Sequence, residues 1–289
     1  MSLIQISSPA KINLGLKILG LRNDGFHEIH THLLQVGLFD NIFIDLRKRR
    51  IDISVDNPFI KRKENIIYRT ACLLREEFGD AELGAKIHLE KRIPIGAGLG
   101  GGSGNAAYVL WVLNRLWKIN YPLKKLEHLA KKLGSDVPFF LNNPSYIFAG
   151  KGDKKLFPYR FSPRYYILIV KPPISLSTKD VYQWSRERMK ESELQNGQTF
   201  KFSRNYDGRK NDLEEVVFPR YPYLQDYRDK LLRFGAKLSL LSGSGSALFG
   251  IFLRKEDVSK AFDFFSVKQE LWVSIVRPLQ RSMLKRINF

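Results

Sequence analysis

Six of the nine residues at positions 96–104 are glycine, in the stretch GAGLGGGSG, and a helix-like pattern follows. Glycine costs conformational entropy when a chain folds, so such a block indicates that the backbone approaches something closely. Consecutive backbone N–H groups that lead into a helix N-terminus form an anion site. The stretch therefore predicts that residues 98–102 wrap a polyphosphate, with the Ser103 hydroxyl near phosphate or its Mg²⁺; the alternative is a mobile surface loop.

Two other phosphate-binding loops do not fit this block. No Lys-Ser or Lys-Thr pair follows the glycines at the spacing of a Walker loop. The glycines also lack the spacing and the βαβ context of a dinucleotide fingerprint. The pattern indicates an anion without saying which one.

Two charged residues and one small-residue stretch could contribute to the same chemistry. Lys11 lies in an alternating segment, where a lysine is usually just solvated. Asp136 follows a helix-ending glycine, where its alternative role is to cap a helix that starts at residues 137–138. The stretch LSGSGSALFG (residues 241–250) reads equally well as a tight connection between strands.

Three histidines close in sequence, His27, His30 and His32, could suggest a metal site. No further clustered ligand pattern accompanies them, so we do not expect a metal there.

The elements that must position these residues are visible as periodic patterns. From Ala10 to Leu19 apolar residues alternate with polar ones, which predicts a half-buried strand with Lys11 and Asn13 on its polar face. Helical spacing predicts helices at residues 65–79, from Ala106 onward, and at residues 123–134. Strands are predicted at residues 165–170 and on both sides of a turn at residues 238–252, and residues 23–25 (Asn-Asp-Gly) predict a tight turn.

The hydrophobic pattern of the sequence predicts a domain boundary within about ten residues of position 153. We therefore predict an N-terminal domain at residues 1–153 and a C-terminal domain at residues 154–289. The polar, basic stretch at residues 191–212 is predicted to be mobile.

The composition is that of a globular protein with an excess of positive charge: 44% of residues are hydrophobic and the formal net charge is +19. Such a field favours anionic partners, including phosphorylated metabolites and nucleic acid. The single cysteine excludes an internal disulfide and fits a reducing compartment. With neither a secretory signal pattern nor a long apolar run, we expect a cytoplasmic protein.

Three motifs in order resemble those of the GHMP kinases: SPAKINLGL near the N-terminus, PIGAGLGGGSGNAA in the middle and LSGSGSALFGIF near the C-terminus. Among the GHMP kinases, the chain most resembles the 4-diphosphocytidyl-2-C-methyl-D-erythritol kinases of the non-mevalonate isoprenoid pathway. The features that carry this closer likeness are GLGGGSGNAA, RNDGFHEIHT, LGSDVPFF and KNDLE at residues 210–214.

The resemblance implies a two-domain α/β (α+β) fold with a cleft between a ribosomal-S5-like N-terminal half and a ferredoxin-like C-terminal half. The first domain would bind ATP and the second the acceptor. The implied ATP site comprises an adenine pocket, a nearby lysine and the phosphate loop: Asn65, Ile66, Ile67, Lys91, Pro94, Gly96, Gly98, Leu99, Gly100, Gly101, Gly102, Ser103 and Gly104.

The implied acceptor is a cytidine diphosphate ester of methylerythritol. Its cytosine would be sandwiched between Phe26 and Tyr182 and recognised by His27, since ring stacking supplies contact area and the imidazole tests the edge of the base. The positions Asn13, Ser175 and Thr178 match residues that touch the acceptor in this family.

The implied chemistry transfers the γ-phosphoryl group of ATP to the 2-hydroxyl of the acceptor. Asp136 would act as the general base, and Lys11 beside it would keep the carboxylate ionised and stabilise the transferring group. The implied cofactor is Mg²⁺ with ATP; Ser103 is its candidate contact, with no metal ligand firmly assigned.

The sequence departs from the family at Gly104, where many relatives carry a second serine. Any role of both serines would fall on Ser103 or on water, and we expect Gly104→Ser to leave turnover roughly unchanged.

Two alternatives stay open at this level. The chain could be another GHMP kinase, such as a homoserine or mevalonate kinase, although neither smaller acceptor needs a base sandwich. It could instead be a basic RNA-binding protein, although no RNA-reading motif is visible. A monomer and a weak homodimer are both compatible with the sequence, and neither a specific nucleic acid nor a membrane partner is expected.

Overall fold

The computed structural model describes residues 3–56, 65–189 and 210–287, which form two β-sheets with helices packed on them. The first sheet and its helices comprise β1 (Ile4–Leu21), β2 (His27–Lys48), β3 (Ile51–Val55), α1 (Ile66–Phe78), β4 (Leu83–Glu90), α2 (Gly101–Leu116), α3 (Leu123–Leu133), α4 (Val137–Phe140), β5 (Ser145–Ala149) and β6 (Lys154–Pro158). The second comprises β7 (Tyr166–Lys171), α5 (Thr178–Arg188), α6 (Glu214–Val217), α7 (Pro222–Arg233), β8 (Leu238–Leu241), β9 (Leu248–Phe252), α8 (Lys255–Ser266) and β10 (Trp272–Val276), followed by a 3₁₀ helix (Met283–Arg286).

In the first sheet the strands lie in the order β3-β4-β2-β5-β6, and β1 pairs with β2 along its length. β3 and β4 are parallel, whereas the other pairs are antiparallel. The predicted turn at residues 23–25 joins β1 to β2: Gly25 has φ +80°, and its N–H donates to the Arg22 carbonyl at 3.0 Å. Lys11 and Asn13 both lie on the first strand of this hairpin.

β1 is buried on both faces where it carries those residues, which differs from the predicted half-buried strand. All residues from 8 to 16 are buried, and Lys11 and Asn13 are only 3% and 4% exposed. Their face is covered by segments distant in sequence, since a β-carbon added at Gly100 would lie 2.8 Å from Cγ of Lys11 and one added at Gly243 would lie 3.1 Å from Oδ1 of Asn13. The alternating pattern therefore places Lys11 and Asn13 on the same face of β1, as predicted, but this polar face is buried inside the protein.

α2 starts inside the glycine-rich stretch rather than at Ala106. Gly100 is its N-cap with φ +66°, so the first turn consists of residues 101–104. Most of its residues are buried, because α1, α3, α4, β1 and β2 all contact it. α2 is thus the central core helix of this half and directs its N-terminus at the cleft.

The predicted helix at residues 65–79 is present as α1. The Asn65 side chain accepts a hydrogen bond from the Ile67 N–H at 2.9 Å and so caps its start. Gly79, with φ +83°, ends it in the left-handed conformation. The predicted helix at residues 123–134 is present as α3, which Gly134 follows.

The second sheet has the order β10-β7-β9-β8 and is antiparallel throughout. The apolar run at residues 165–170 forms β7, whose residues 167–170 are fully buried. β8 and β9 are the two strands predicted within residues 238–252. The residues between them include the third-motif loop (residues 242–246), which approaches the first half of the chain.

The chain leaves the first sheet after Pro158 and enters the second at Tyr166. The turn near residue 153, where we predicted the boundary, lies between β5 and β6 of the first sheet. The C-terminal segment returns to the first half, where Leu284 packs into its core. The end of the described chain therefore packs against the first half.

Most of the stretch at residues 191–212, predicted to be mobile, lies outside the described residues. In the part of the chain that is described, each helix is too short or too polar to traverse a bilayer.

Candidate active site

A cleft of about 520 Å³ lies between the two halves. It is bordered by β1, the start of α1, the glycine loop (residues 96–104) and the third-motif loop. Many predicted site residues line it: Lys11, Asn13, Asn65, Ile66, Ile67, Lys91, Pro94, Gly96, Gly98, Leu99, Gly100, Gly101, Gly102, Ser103, Asp136 and Thr178. Phe26, His27, Gly104, Ser175 and Tyr182 are not among its lining residues.

The glycines of the loop are explained by close backbone contacts. Gly96, Gly98 and Gly100 all have positive φ, and a β-carbon added at Gly98 would lie 1.9 Å from the carbonyl oxygen of Ser242. At Gly100 it would lie 2.8 Å from Cγ of Lys11. The loop is therefore packed between the first and third motifs and is not a mobile surface loop.

The N-terminus of α2 faces the cleft and can bind an anion. The first N–H groups of a helix have no intrahelical acceptor and carry partial positive charge. Gly101, Gly102 and Ser103 supply these groups and line the cleft. The geometry is suited to a phosphate chain lying along residues 96–103.

Gly104, which the resemblance assigns to the ATP site, packs on the β1 side of α2 and does not line the cleft. A β-carbon there would lie 2.8 Å from the Pro9 carbonyl oxygen and 2.8 Å from Oγ of Ser8. Glycine at this position thus allows α2 to approach β1. A serine hydroxyl at residue 104 would start from the β1 side of the helix.

Gly104→Ser is expected to lower the free energy of unfolding by about 1–3 kcal/mol, because overpacking forces α2 away from β1. Turnover measured well below the melting temperature should stay within a few fold of wild type, since Gly104 is not at the cleft. Gly102→Ser is the matched control for stability, because its β-carbon would meet only Cγ2 of Ile66 at 3.7 Å. Equal chemical-denaturation curves for the two variants would contradict the steric argument.

Lys11 and Asp136 are brought together at the floor of the cleft. Nζ of Lys11 lies 3.4 Å from Oδ2 of Asp136, and the lysine side chain is 4% exposed while the carboxylate is 35% exposed. Asp136 occupies the N-cap position of α4, but its side chain makes no capping hydrogen bond. The carboxylate is therefore available to a ligand, and capping does not account for it.

A chain of hydrogen bonds fixes the Lys11 amine from the other side. It donates to Oδ1 of Asn13 at 2.5 Å, and Nδ2 of Asn13 donates to Oγ1 of Thr31 at 2.9 Å. Thr31 in turn donates to the Gly15 carbonyl at 2.9 Å. Thr31 lines the cleft and was not predicted; the pairing of β1 with β2 was the signal that could have indicated it.

The other end of the cleft is formed by the start of α1 and by Lys91. Asn65 uses Oδ1 as a helix cap, whereas its buried Nδ2 has no hydrogen-bond partner within the described residues. Nδ2 is thus a donor available to a ligand such as a nucleotide base. Ile66 and Ile67 provide apolar surface beside it.

Lys91 is held by Asp40, a buried residue that the sequence analysis missed. Nζ of Lys91 donates to Oδ2 of Asp40 at 2.8 Å and to the Ile93 carbonyl at 2.5 Å. Burial lowers the pKa of the Lys91 amine, and the neighbouring carboxylate opposes that shift. Asp40 also accepts hydrogen bonds from Asn105 and from the N–H groups of Arg92 and Ile93, so it anchors both ends of the glycine loop.

The residues predicted to hold a base lie together only in part. The rings of His27 and Tyr182 are 5.1 Å apart between centroids, and Nε2 of His27 is buried without a hydrogen-bond partner in the described chain. Phe26 is 53% exposed, and Nζ of Lys151 lies 4.8 Å from its ring centroid. Burial and, second, the charge of Arg186 lower the pKa of His27, which favours the neutral imidazole.

The low pKa of His27 predicts a pH-dependent contribution to stability. The unfolded residue binds a proton below its ordinary pKa of about 6.5, whereas the folded residue resists it. This stabilisation is present above pH 6.5 and is lost as the pH falls through the folded-state pKa. The difference in unfolding free energy between wild type and His27→Gln should therefore shrink by at most about 1.4 kcal/mol per pH unit. The exposed His128→Gln is the control; the same trend in both would contradict the assignment to burial.

The third-motif loop and the start of α5 complete the cleft. The Ser242 hydroxyl donates to the Gly98 carbonyl at 2.9 Å, and the hydroxyls of Thr178 and Ser244 are hydrogen-bonded at 2.9 Å. Ser175 packs against Gly96, where a β-carbon would lie 2.7 Å from its Oγ. Gly243 and Ser244 line the cleft, although the sequence analysis assigned their motif no site residue.

The histidines near the β1–β2 turn form no metal site in the described part of the chain. No group of three His, Cys, Asp or Glu side chains is placed there to hold an ion. The rings of His30 and His32 instead contact each other at 5.4 Å between centroids.

Comparisons with known proteins agree on one family. The model "GHMP kinases N terminal domain" matches residues 65–143 and "GHMP kinases C terminal" matches residues 196–268. A 4-diphosphocytidyl-2-C-methyl-D-erythritol kinase of Thermodesulfovibrio yellowstonii is 37% identical over 280 residues, covering 93% of this chain and 96% of that protein.

Solved structures support the same relationship. A crystal structure of 4-(cytidine 5'-diphospho)-2C-methyl-D-erythritol kinase matches with TM-score 0.76 and 30% identity, over 95% of this chain and 99% of that one. A homoserine kinase from Cytophaga hutchinsonii matches with TM-score 0.71 at 18% identity, over 98% of this chain and 96% of that one, and shares the fold. The kinase fold predicted from the three motifs is confirmed, and the first of these relatives are kinases that act on the cytidine diphosphate ester. The chain belongs to the 4-diphosphocytidyl-2-C-methyl-D-erythritol kinase family of the GHMP kinases.

Proposed function

We propose that the protein transfers the γ-phosphoryl group of ATP to the 2-hydroxyl of 4-diphosphocytidyl-2-C-methyl-D-erythritol. Family membership supports the reaction class. The observation that carries the proposal is the pair of Lys11 and Asp136, 3.4 Å apart, at the floor of a cleft that the glycine loop also lines.

The triphosphate would lie along residues 96–103, where the N-terminus of α2 attracts anions. The adenine would lie near Ile66 and Ile67, with the available Nδ2 of Asn65 as a donor. Lys91 and Pro94 border the same region. Each assignment uses residues that line the cleft.

Asp136 would accept the proton of the attacking hydroxyl as the new O–P bond forms and the bond to the β-phosphate oxygen breaks, which releases ADP. Lys11 lies beside the carboxylate and would stabilise the negative charge that spreads over the transferring group. Asn13 fixes the lysine amine, so the positive charge does not have to reorganise during transfer.

The cleft offers hydroxyl and carboxylate oxygens from Ser103 and Asp136, which are the donor types that Mg²⁺ prefers. When bound with ATP, Mg²⁺ neutralises phosphate charge. Ser103 lies in the first turn of α2 and would offer its hydroxyl to phosphate or to Mg²⁺.

The acceptor would enter from the side of His27 and Tyr182. Tyr182 and Phe26 would stack on the cytosine, and the neutral His27 imidazole would contact its hydrogen-bonding edge. Thr178 lines the cleft between this region and the third-motif loop, and Ser175 lies against the glycine loop. The acceptor chain could therefore run from the β1–β2 turn to Asp136.

The test is ATP-dependent phosphorylation of the CDP-ester, compared with mevalonate and homoserine under the same conditions. We expect kcat/KM for the CDP-ester to exceed the values for mevalonate and homoserine by at least about a thousandfold. Neither smaller acceptor has a base, so neither gains the binding energy that contacts with the cytosine would supply in the transition state. Comparable rates with mevalonate or homoserine would assign the chain to a different kinase reaction.

A further inference from the structure

The third-motif loop contacts both substrate sites at once. Ser242 is hydrogen-bonded to Gly98 of the glycine loop, and Ser244 to Thr178 of α5. A β-carbon at Gly243 would lie 3.1 Å from Oδ1 of Asn13. The position of this loop relative to the cleft therefore affects the nucleotide side, the acceptor side and the surroundings of Lys11.

Asn211 supports this loop from behind. It is fully buried, and its Nδ2 donates to the carbonyl oxygens of Leu241 at 2.9 Å and Gly243 at 2.7 Å. Its Oδ1 accepts from the Leu213 N–H at 3.0 Å. The side chain thus spans the start of the loop and does not line the cleft.

Glu214 holds the same point from the start of α6. Its Oε1 accepts a hydrogen bond from the Leu241 N–H at 2.7 Å, and Arg228 is 3.6 Å from its other oxygen. Burial raises the pKa of this carboxyl group to about 7. Burying a carboxylate costs free energy of folding. The contribution of Glu214 to this part of the structure is therefore its hydrogen bond to the Leu241 N–H.

The segment that carries Asn211 and Glu214 is also fastened to β1. The Asp212 N–H donates to the Leu16 carbonyl at 2.9 Å, and its carboxylate accepts from the Ile18 N–H at 2.9 Å. β1 is the strand that carries Lys11. Residues 210–214 therefore connect the lysine strand directly with the third-motif loop.

We propose that Asn211 and Glu214 are positioning residues, which hold the third-motif loop in the position that binding of both substrates requires. The inference rests on the proposed kinase reaction. Neither side chain lines the cleft, so both act through Leu241 and Gly243.

Asn211→Ala and Glu214→Ala are expected to lower kcat/KM for ATP and for the CDP-ester at least tenfold. We expect kcat to fall and KM to rise, because the loop residue Gly243 beside Lys11 would no longer be held in place. Glu214→Gln keeps a carbonyl oxygen that can accept from the Leu241 N–H, so it should retain most of the activity. This contrast separates the hydrogen bond from the charge, and it decides the question even if Asn211→Ala does not fold.

Asn114→Ala is the matched control. Asn114, in the last turn of α2, is also buried and bonds the backbone twice, donating to the Tyr121 carbonyl and accepting from the Tyr121 N–H, but neither residue lines the cleft. It should lose stability comparably yet keep kcat/KM within twofold at a temperature where all variants are folded. Loss of activity in Asn114→Ala equal to that in Asn211→Ala would overturn the positioning role.

Equilibrium binding of a non-hydrolysable ATP analogue gives a readout that does not need turnover. Asn211→Ala and Glu214→Ala should bind it at least fivefold more weakly than wild type, Glu214→Gln and Asn114→Ala. A wild-type chain that binds the analogue but does not phosphorylate the CDP-ester would contradict the proposed function alone. Wild-type affinity in both alanine variants would overturn the inference.

Discussion

Asp136→Asn is expected to lower kcat by about a hundredfold to ten-thousandfold, the range that a positioned general base contributes. Asparagine has nearly the same shape but cannot accept the hydroxyl proton. Because Asp136 makes no capping hydrogen bond, the substitution should leave α4 folded, and any fall in the melting temperature should come from the loss of the ion pair with the buried Lys11 amine. Steady-state kinetics with saturating ATP and CDP-ester, together with a thermal melt, measure both effects.

Asp229→Asn is the matched control for that substitution. The Asp229 side chain is 38% exposed and pairs with Arg228 at 2.8 Å, so it resembles Asp136 in exposure and pairing but lies on α7. Its loss should change kcat by less than twofold. An Asp136→Asn variant that kept more than a tenth of the wild-type kcat would show that another group, or water, takes the proton.

The sequence predicted the elements of the site better than their surroundings. The alternation at Ala10–Leu19 placed Lys11 and Asn13 on one face, because period two is a local property of a strand. It could not predict that this face is buried, since the covering residues, Gly100 and Gly243, come from distant parts of the chain. The same limit applies to α2, whose start at Gly101 contradicts glycine's low helix propensity and depends on tertiary contacts.

Two anchoring residues were not predicted for the same reason. Asp40 lies within a long strand and has no local pattern that distinguishes it from a surface carboxylate. Its role appears only when β2 and β4 bring it against Lys91 and the end of the glycine loop. Asn211 lies in a segment that the sequence analysis used only as a family marker, and its contacts with the third-motif loop span 30 residues or more.

Lys11→Met is expected to lower kcat by at least about a hundredfold, as the loss of one preorganised donor to a developing negative charge does. Methionine has a similar length but no charge, so the transferring phosphoryl group would lose its fixed cation. The Lys11 amine is already held by Asn13 and lies 3.4 Å from Asp136, which means that the wild-type charge needs little rearrangement. The KM for ATP should change less than kcat, because the glycine loop supplies most of the ground-state contacts.

Lys11→Arg should not restore the rate, although it restores the charge. Gly100 and Gly243 lie against the lysine side chain, where β-carbons would come within 2.8 Å of its Cγ and 3.3 Å of its Nζ, so we expect the larger planar guanidinium to place its charge away from the position that the amine holds beside Asn13 and Asp136. The exposed Lys86→Met on β4 is the control for the loss of a positive charge, and it should keep wild-type turnover. An active Lys11→Arg, with kcat within threefold of wild type, would show that charge alone is required and that the packed geometry around the amine does not contribute to the rate.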